Sequence, residues 1–278
     1  MIITVVIPTC ERSDLIARCL ENIKGADEVI VTDDSESDRT RQMVGDRFPA
    51  VKWVRGPRRG PAANRNFGAS AATGDLFAFV DDDCIPTSDW VENMRIALAE
   101  AELVEGKTIC TGKTNHPLEE VVENLAGGVL WSCNMGIRKE LFLRIGGFDE
   151  DFLEAGGEDL EFAWRVRQVG VNVLFVPEAV VYHPARRLTL RRWLYRVFQD
   201  RWHLLYRLKT VGPKSATFEE CKDLVRLTTR LVGDRGAKET RFLAVVTRWT
   251  LFPFWFLYLL RWERRFRKKL IKVAVAAR

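Results

Sequence analysis

The feature that most constrains the fold is an apolar run, Leu76 to Val80, that ends in three consecutive carboxylates, Asp81, Asp82 and Asp83. Apolar residues between turn-forming neighbours are typical of a buried strand. Like charges at the end of such a strand cost free energy unless a cation neutralises them. Oxygen ligands at the mouth of a sheet suit Mg²⁺ or Mn²⁺, which can in turn hold a diphosphate. In isolation the three aspartates are also compatible with a polar loop after a strand. The choice between a cation site and a polar loop therefore depends on the surrounding segments.

Strand and helix patterns alternate over the first hundred residues. Apolar runs at 2–8, 28–32 and 51–54 precede the run at 76–80, and a helical pattern follows each of the four. This alternation predicts an α/β fold in which helices cover both faces of a parallel sheet. Ligands of such sheets bind at the carboxyl ends of the strands. We therefore expect the three polar segments that follow the first, second and fourth runs to converge on one cleft: Thr9, Asp33-Asp34 and Asp81 to Asp83.

The pattern changes in the second half of the chain. Strand-like segments lie around 107–112, 129–136 and 171–176, and an amphipathic helix is predicted between the last two, from Glu158 to Val169. After Pro184 nearly all of the pattern is helical, with helices predicted at 188–209, 217–232, 238–247 and 254–270.

Charge divides the chain at about the same place. Residues 1–185 carry 19 Lys/Arg against 31 Asp/Glu, whereas residues 186–278 carry 24 against 7. Two regions with such different charge have different roles. We therefore predict a domain boundary near Pro184.

The cysteines and the apolar segments bear on where the chain is found. Its six cysteines show no Cys-x-x-Cys pair and no zinc spacing. The first strand directly follows Met1, which leaves no room for a signal peptide, so a cytosolic chain with reduced thiols is expected. The longest uncharged aromatic and aliphatic stretch, Trp249 to Leu260, is shorter than the roughly 18–20 residues that span a bilayer and contains Pro253.

Five segments in order carry a family resemblance. They are Val5-Val6-Ile7-Pro8-Thr9, Thr32-Asp33-Asp34-Ser35, Gly60 to Gly68, Val80 to Asp83, and Gly146-Gly147-Phe148-Asp149 with Gly157-Glu158-Asp159. Together they resemble the family 2 glycosyltransferases of the GT-A fold, and the last segment is similar to the galactosyltransferase type of signature.

The resemblance implies a Rossmann-like α/β domain with a mixed, mostly parallel sheet over residues 1–185. Its nucleotide-binding half would cover about 1–105 and its acceptor half about 106–185, with a helical extension at 186–278. It also implies a metal-dependent enzyme of the hexosyltransferase type that transfers one sugar, with inversion, from a nucleotide-diphosphate sugar. Processive members carry Gln-x-x-Arg-Trp, where this chain has Thr189 in place of the Gln before Arg192-Trp193. A single transfer per encounter is therefore expected.

The resemblance also assigns roles to individual residues. Asp83, in the position of the family's DXD motif, would bind Mg²⁺ or Mn²⁺ together with His183, which follows the strand-like Ala179 to Tyr182. Asp159 would be the base that deprotonates the acceptor hydroxyl, and Glu158 would hold an acceptor hydroxyl or set the loop. The remaining assigned residues would bind the nucleotide diphosphate: Pro8, Thr9, Glu11, Asp34, Arg65, Asp81 and Asp82, the last of which could share the metal.

The basic extension suggests a partner of its own. Residues 186–278 hold 15 of the 29 aromatic residues, and the aromatic segment Trp249 to Trp262 precedes the basic cluster Arg264-Arg265-Phe266-Arg267-Lys268-Lys269. Aromatic residues beside cations suit the boundary of an anionic membrane, so we expect a peripheral protein on the inner face of the membrane. Internal packing of the aromatics or a homo-oligomer interface are the alternatives. No nucleic-acid-binding module accompanies the charge, so no nucleic acid is expected as a partner.

Two other function classes compete with the transferase. A nucleotidyltransferase-like nucleotide-sugar enzyme would need a lysine-bearing glycine-rich loop near the first strand, which this sequence lacks. A catalytically silent nucleotide-sugar-binding module would not require Asp81, Asp83 and Asp159 together. The acceptor is a glycan, a lipid-linked molecule or a small molecule, and the sequence does not choose among them.

Overall fold

The computed structural model describes residues 1–114, 116, 118–197, 201–210, 216–233, 245–246 and 249–276. The chain divides into two compact units. The first comprises Met1–Gly112 and Val121–Pro184, and the second comprises Lys113–Glu120 and Ala185–Arg278.

The first unit is built on an eight-stranded sheet of order β3-β2-β1-β4-β8-β6-β9-β5. Strand β1 pairs in parallel with β2 and β4, as do β2 with β3 and β6 with β9, while β8 is antiparallel to both β4 and β6. The predicted α/β fold with a mixed, mostly parallel sheet is thus confirmed. The strands are β1 Ile3–Thr9, β2 Glu28–Asp33, β3 Lys52–Arg55, β4 Leu76–Val80, β5 Ile85–Pro86, β6 Leu103–Thr111, β8 Asn134–Arg138 and β9 Leu174–Pro184.

Helices cover both faces of this sheet, which explains why β1 and β4 are buried along their whole length. Val5 of β1 and Ala78 of β4 belong to one buried cluster, and their neighbours Val6 and Phe79 belong to a second cluster. Successive side chains of a strand point to opposite faces, so a strand buried on both faces lacks polar alternation. The helices of this unit are α1 Ser13–Asn22, α2 Arg39–Arg47, α3 Pro61–Ser70, α4 Trp90–Glu100, α5 Lys139–Ile145 and α6 Glu158–Gln168.

The prediction of a strand around 129–136 is wrong for residues 129–133. Residues 129–133 form a loop, and β8 begins only at Asn134. The buried carboxylate of Glu105 accepts hydrogen bonds from the backbone N–H groups of Gly128 and Leu130, the latter at 2.8 Å. A side chain therefore satisfies backbone groups that a strand would have paired. The short helix α5, which ends at the left-handed Gly146, was not predicted.

A bulge interrupts the pairing of β6 with β9. Gly106 pairs with Val176, but the next residue, Lys107, pairs with Val180. The buried amide of Asn134 holds this bulge, because its Nδ2 donates to the carbonyls of Lys107 and Ala179, both at 3.1 Å. Its Oδ1 accepts from Trp90 Nε1 at 2.8 Å. A Cβ on Gly106 would overlap the Ala179 carbonyl and the Asn134 amide, so this position requires glycine.

The second unit is mainly helical, as predicted for the C-terminal region. Its helices are α7 Leu190–Val197, α8 Arg201–Thr210, α9 Ala216–Gly233 and α10 Phe252–Ala276, and β7 Glu119–Glu120 pairs with β10 Arg186–Arg187. The predicted helix at 188–209 is described as two helices, and the one predicted at 238–247 lies outside the described residues except at 245–246. Among the described helices, none combines the length and the apolar content that crossing a bilayer requires.

Candidate active site

The polar segments singled out in the sequence meet at one edge of the sheet. Strands β1, β2 and β4 end there because they are parallel, and β9 ends there because the intervening β8 reverses direction. The Thr9 hydroxyl donates to Asp82 Oδ2 at 2.7 Å, and the Asp34 N–H donates to the Thr9 carbonyl at 2.9 Å. The predicted convergence of the three loops is therefore observed.

The two aspartates after β2 have different environments. Asp33 is buried and accepts from the Ser35 N–H at 2.9 Å and from Trp53 Nε1 at 3.1 Å, so its carboxylate stabilises the turn. Asp34 is half-buried, and its Oδ1 accepts from the Arg58 N–H at 2.8 Å. Burial raises the pKa of Asp34 despite the hydrogen bonds from the Arg58 and Gly60 backbone. Of the pair, Asp34 is the carboxylate that remains accessible to a ligand.

Glu11 organises the loop beside it. Its φ of 54° is in the left-handed region, and its carboxylate accepts from the Glu36 N–H at 2.6 Å and the Ser37 hydroxyl at 2.7 Å. The hydrogen bond from Ser37 is the main reason why the pKa of Glu11 is lowered. Glu11 therefore connects the loop after β1 to the loop after β2. Pro8 lies in buried β1, opposite Thr32.

The three consecutive aspartates contact different sets of residues, although Asp82 and Asp83 share Arg12. Asp81 accepts from Arg65 Nη2 at 2.7 Å. Asp82 is buried between Thr9 and Arg12, whose Nη1 lies 3.0 Å from Asp82 Oδ1, and burial raises its pKa. Asp83 Oδ1 lies 3.6 Å from His183 Nε2. Arg12 Nη1 also lies 3.3 Å from Asp83 Oδ2, so Asp82 and Asp83 share this cation while Asp81 pairs with Arg65.

Asp83 and His183 form the part of the site that could hold a cation. His183 Nδ1 lies 2.9 Å from the Pro184 carbonyl, which can only accept a hydrogen bond, and this contact leaves Nε2 directed at Asp83. Side-chain ligand atoms of Asp83, Cys84 and His183 all lie within 4.8 Å of one another. A carboxylate and an imidazole suit Mn²⁺, and a carboxylate suits Mg²⁺. The residues present therefore fit a divalent cation.

Cys84 contributes less to such a site than its position suggests. A hydrogen bond with Cys133, followed by burial, raises the pKa of its thiol well above the ordinary value. A protonated thiol is a poor metal ligand. Cys84 therefore packs beside the site, and the oxygen and nitrogen atoms that could bind a cation belong to Asp83 and His183.

Arg65 lies in the centre of a second cluster, which contains three carboxylates. Its guanidinium is buried, with Nη2 2.7 Å from Asp81 Oδ1 and Nη1 3.5 Å from Glu158 Oε1. Burial opposes the charge, but Asp81, Asp159 and Glu158 outweigh it and raise the pKa of Arg65. Within the described part of the chain, Nε makes no hydrogen bond although it is shielded from solvent. The cluster thus holds a fully charged Arg65 with donor capacity left for an anionic oxygen.

Asp159 has a strongly altered acidity. Burial, with the neighbouring charge of Glu158, raises its pKa to about 7, and Arg65 and Ser132 act in the opposite direction. A carboxyl group whose pKa lies near neutrality is suited to accept and release protons.

Two local structures place the acidic pair. Gly156 and Gly157 precede helix α6 with φ values of 127° and 115°, which L side chains rarely adopt. The Gly156 N–H donates to Glu158 Oε2 at 2.7 Å, so Glu158 closes the turn that starts its own helix. Upstream, Asn66 accepts from the Phe148 N–H and donates to the Phe148 carbonyl, both at 2.8 Å, which attaches this loop to α3.

Three contributors were not predicted from the sequence. They are Arg12, which lies within 3.3 Å of Asp82 and Asp83, Ser132 beside Asp159, and Asn134 at the bulge. Arg12 follows directly on the predicted Glu11, so its place in the loop after β1 was a usable signal. Ser132 and Asn134 have no such local signal, because their roles depend on strands distant in the sequence.

Comparison with known proteins agrees with this geometry. Residues 4–111 match the family described as glycosyl transferase family 2, and residues 117–186 match the N-terminal domain of galactosyltransferase. The chain is 29% identical over 219 residues to a pre-mycofactocin glycosyltransferase of Mycobacterium tuberculosis, a match covering 70% of this chain and 45% of the relative. It is 29% identical over 223 residues to validoxylamine A glucosyltransferase of Streptomyces hygroscopicus, covering 61% and 52%. The chain thus spans about half the length of these curated relatives.

A solved structure shows the same fold. The mannosyltransferase PcManGT from Pyrobaculum calidifontis, in complex with GDP-Man and Mn²⁺, matches with a TM-score of 0.58 at 18% identity. The match covers 98% of this chain and 86% of that one. At this identity the likeness shows the fold alone, and the fold is GT-A.

Proposed function

Because this chain belongs to the family 2 glycosyltransferases, we propose that it transfers one sugar from a nucleotide-diphosphate sugar to an acceptor hydroxyl, with inversion at the anomeric carbon. One observation carries the proposal. The pair Asp83 and His183, and the cluster of Arg65 with Asp81 and Asp159, lie at the same edge of the sheet. The first arrangement suits a cation and the second suits a proton acceptor beside a fixed positive charge.

The donor would bind across the carboxyl ends of β1, β2 and β4. We propose that Pro8, Thr9 and Asp34 flank the base and ribose, since Asp34 keeps an accessible carboxylate there. Glu11 would act by ordering the 36–37 turn, to which its carboxylate is already bonded. Asp81 would approach the ribose while Arg65 fixes its orientation, and the buried Asp82 would shape the site through Thr9 and Arg12.

Asp83 and His183 would hold Mg²⁺ or Mn²⁺. When bound, such a cation neutralises the charge of the diphosphate and so stabilises the leaving group. The protein's own contribution is orientation, because the Pro184 carbonyl fixes the His183 ring with Nε2 towards Asp83. This bond supports the assignment of His183 as the second ligand.

Asp159 would be the general base. In its ionised form the carboxylate accepts the proton of the acceptor hydroxyl, whose oxygen forms a bond to the anomeric carbon. The bond from that carbon to the diphosphate oxygen breaks on the opposite face, which gives inversion. Glu158 would keep Asp159 in place, because its carboxylate closes the Gly156 turn and faces Arg65.

The acceptor and the place of action extend the proposal. We propose that the enzyme acts in the cytoplasm on the inner face of the membrane, on a glycan, lipid-linked or small-molecule acceptor. The basic second unit supports a membrane location, and the name of the validoxylamine A glucosyltransferase supports a small-molecule acceptor. The alternative is that the exposed aromatic residues form the interface of a homo-oligomer. The molar mass of the full chain, measured by light scattering, tests this alternative.

A donor screen tests the transferase proposal. Purified full-length protein is incubated with UDP-, GDP- and dTDP-sugars in the presence of Mn²⁺ or Mg²⁺, and the released nucleotide is measured. We expect slow hydrolysis of one class of donor that stops when EDTA is added. Equal hydrolysis with EDTA would remove the metal from the proposal, and binding of a donor without any turnover would favour a silent binding module.

A further inference from the structure

The last helix, α10, has two faces of opposite exposure. Trp255, Leu259, Glu263 and Phe266 recur at intervals of three or four residues and are buried. Residues at this spacing share one side of a helix. This side of α10 therefore packs against the rest of the second unit, and the opposite side faces solvent.

The opposite side changes from apolar to cationic along its length. Phe254 and Leu257 are 72% and 63% exposed, and because they are three residues apart they lie together on one side of the helix. One turn further on, the exposed positions are all basic. An open groove of about 500 Å³ joins the two parts and is lined by Leu257, Leu260, Arg261, Arg264, Arg265 and Lys268.

The inward and outward cations of this unit differ in their pairing. Inward-facing Arg267 lies 2.6 Å from Glu263 Oε1, and Arg207 pairs with Glu220 and Asp223. Within the described ranges, no carboxylate pairs with the four basic residues that line the groove. Arg265 instead has its guanidinium 5.0 Å from the centre of the Trp262 ring. The fold neutralises the inward cations and leaves the positive charge of the groove for a partner of opposite charge.

We propose that this face of α10, from Phe254 to Lys268, binds the surface of an anionic phospholipid bilayer. Phe254 and Leu257 enter the headgroup boundary, and the groove cations contact lipid phosphates. At 1.5 Å per residue the face is about 21 Å long, which suits a helix that lies in the plane of the interface. The proposal rests on the membrane location proposed above and assigns it to particular residues.

The apolar part of the face decides between two anionic partners. A nucleic acid would satisfy the cations but would leave Phe254 and Leu257 in water. A bilayer satisfies both parts at once, because phosphates lie directly above its apolar interior. Each basic residue near an anionic surface strengthens binding about fivefold at low salt. The four groove cations therefore supply the electrostatic part of the affinity, and that part falls as salt rises.

Sedimentation of the full-length protein with vesicles tests the proposal. Vesicles of phosphatidylglycerol with phosphatidylcholine are compared with phosphatidylcholine alone, and with a labelled single-stranded RNA. We expect binding to the anionic vesicles, with release as salt rises. Arg261→Glu with Arg264→Glu should weaken it at least about 25-fold, and Phe254→Ser with Leu257→Ser should weaken the binding that persists at high salt.

A matched double reversal, Arg18→Glu with Lys24→Glu, changes the net charge equally at exposed positions of the first unit and should leave binding unchanged. The single variant Lys268→Glu, with circular dichroism of every variant, separates lost binding from lost folding. Equal binding by the α10 double reversal and the wild type would overturn the proposal. So would equal losses in both double reversals, or binding to RNA and not to vesicles.

Donor hydrolysis is measured on the same samples. The α10 variants should hydrolyse the donor at the wild-type rate, because these residues are not assigned to the catalytic site. Loss of vesicle binding with intact hydrolysis supports the assignment of the face. Absence of vesicle binding in the wild type, with intact hydrolysis, refutes the membrane proposal and leaves the transferase proposal standing.

Discussion

The imidazole of His183 faces the carboxylate of Asp83, with Nε2 3.6 Å from Oδ1, although one side chain follows β4 and the other lies near the end of β9. The bulge between Val176 and Val180 sets the register that places His183 opposite Cys110. The Asn134 amide holds this bulge through the carbonyl of Ala179. The contact between His183 and Asp83 therefore depends on how β6, β8 and β9 pair with one another. The sequence pattern of each strand does not reveal this pairing.

Removal of Asp83 should remove metal binding. We expect Asp83→Asn to weaken Mn²⁺ binding by more than about 100-fold, beyond the range for residues that only support a ligand. His183→Gln should also weaken it, because Nε2 is the facing atom. Calorimetric titration with Mn²⁺ and with the donor measures both effects. Asp75→Asn, an exposed carboxylate, is the control, and unchanged Mn²⁺ affinity in Asp83→Asn would show that the metal binds elsewhere.

Loss of the proposed base should affect turnover and spare binding. Asp159→Asn keeps the shape of the side chain but cannot accept the proton, so transfer should slow at least about 100-fold while donor affinity stays within a few-fold. Single-turnover transfer assays and donor titrations separate the two quantities. If Asp159→Asn transfers at the wild-type rate, Glu158 becomes the next candidate. NMR of the wild-type product should show inverted anomeric configuration, and retention would contradict the proposed mechanism.

The pH profile should follow the raised pKa of Asp159. A base works in its ionised form, and burial raises the pKa of this carboxyl to about 7, so kcat/KM should increase as pH rises through about 7. An unperturbed aspartate would give its inflection near pH 4. The residual activity of Asp159→Asn should lack the inflection, and Asp46→Asn, at an exposed position, should keep it. A wild-type profile that is flat between pH 5 and 8 would argue against Asp159.

Asn134 offers a test of how the site is positioned. Asn134→Asp has nearly the same size but loses both N–H donors, which leaves the carbonyls of Lys107 and Ala179 facing an oxygen. We expect the free energy of unfolding to fall by about 2–3 kcal/mol and Mn²⁺ affinity to fall as well, because the register of His183 loosens. Thermal unfolding and Mn²⁺ titration measure the two effects.

A matched control for that experiment is available within the bulge. Asn93 donates to the Glu178 carbonyl at 2.9 Å in a hydrogen bond that is exposed to solvent, so Asn93→Asp removes a bond that water can replace. It should lower stability by less than about 1 kcal/mol and leave Mn²⁺ affinity unchanged. If Asn134→Asp lowers stability but not Mn²⁺ affinity, Asn134 has a structural role only.

The sequence alone determined the elements whose signal is local. The apolar runs of β1, β2 and β4 and the glycines before Glu158 depend on neighbours in the chain, and the structure has them where they were predicted. The same is true of the sheet edge on which Thr9, Asp34 and Asp83 gather, because parallel strands joined by helices must end on one side.

Only the tertiary structure decided which of these residues meet. It paired Asp81 with Arg65 and turned Asp83 towards His183, assigned Asp33 to the turn, and brought Arg12 and Ser132 to the site. It also replaced a predicted strand at 129–133 with a loop bonded to Glu105. Each of these outcomes depends on hydrogen bonds and burial between residues far apart in the chain. Strand spacing and turn composition carry no information about such contacts, because they describe only what a residue does relative to its neighbours.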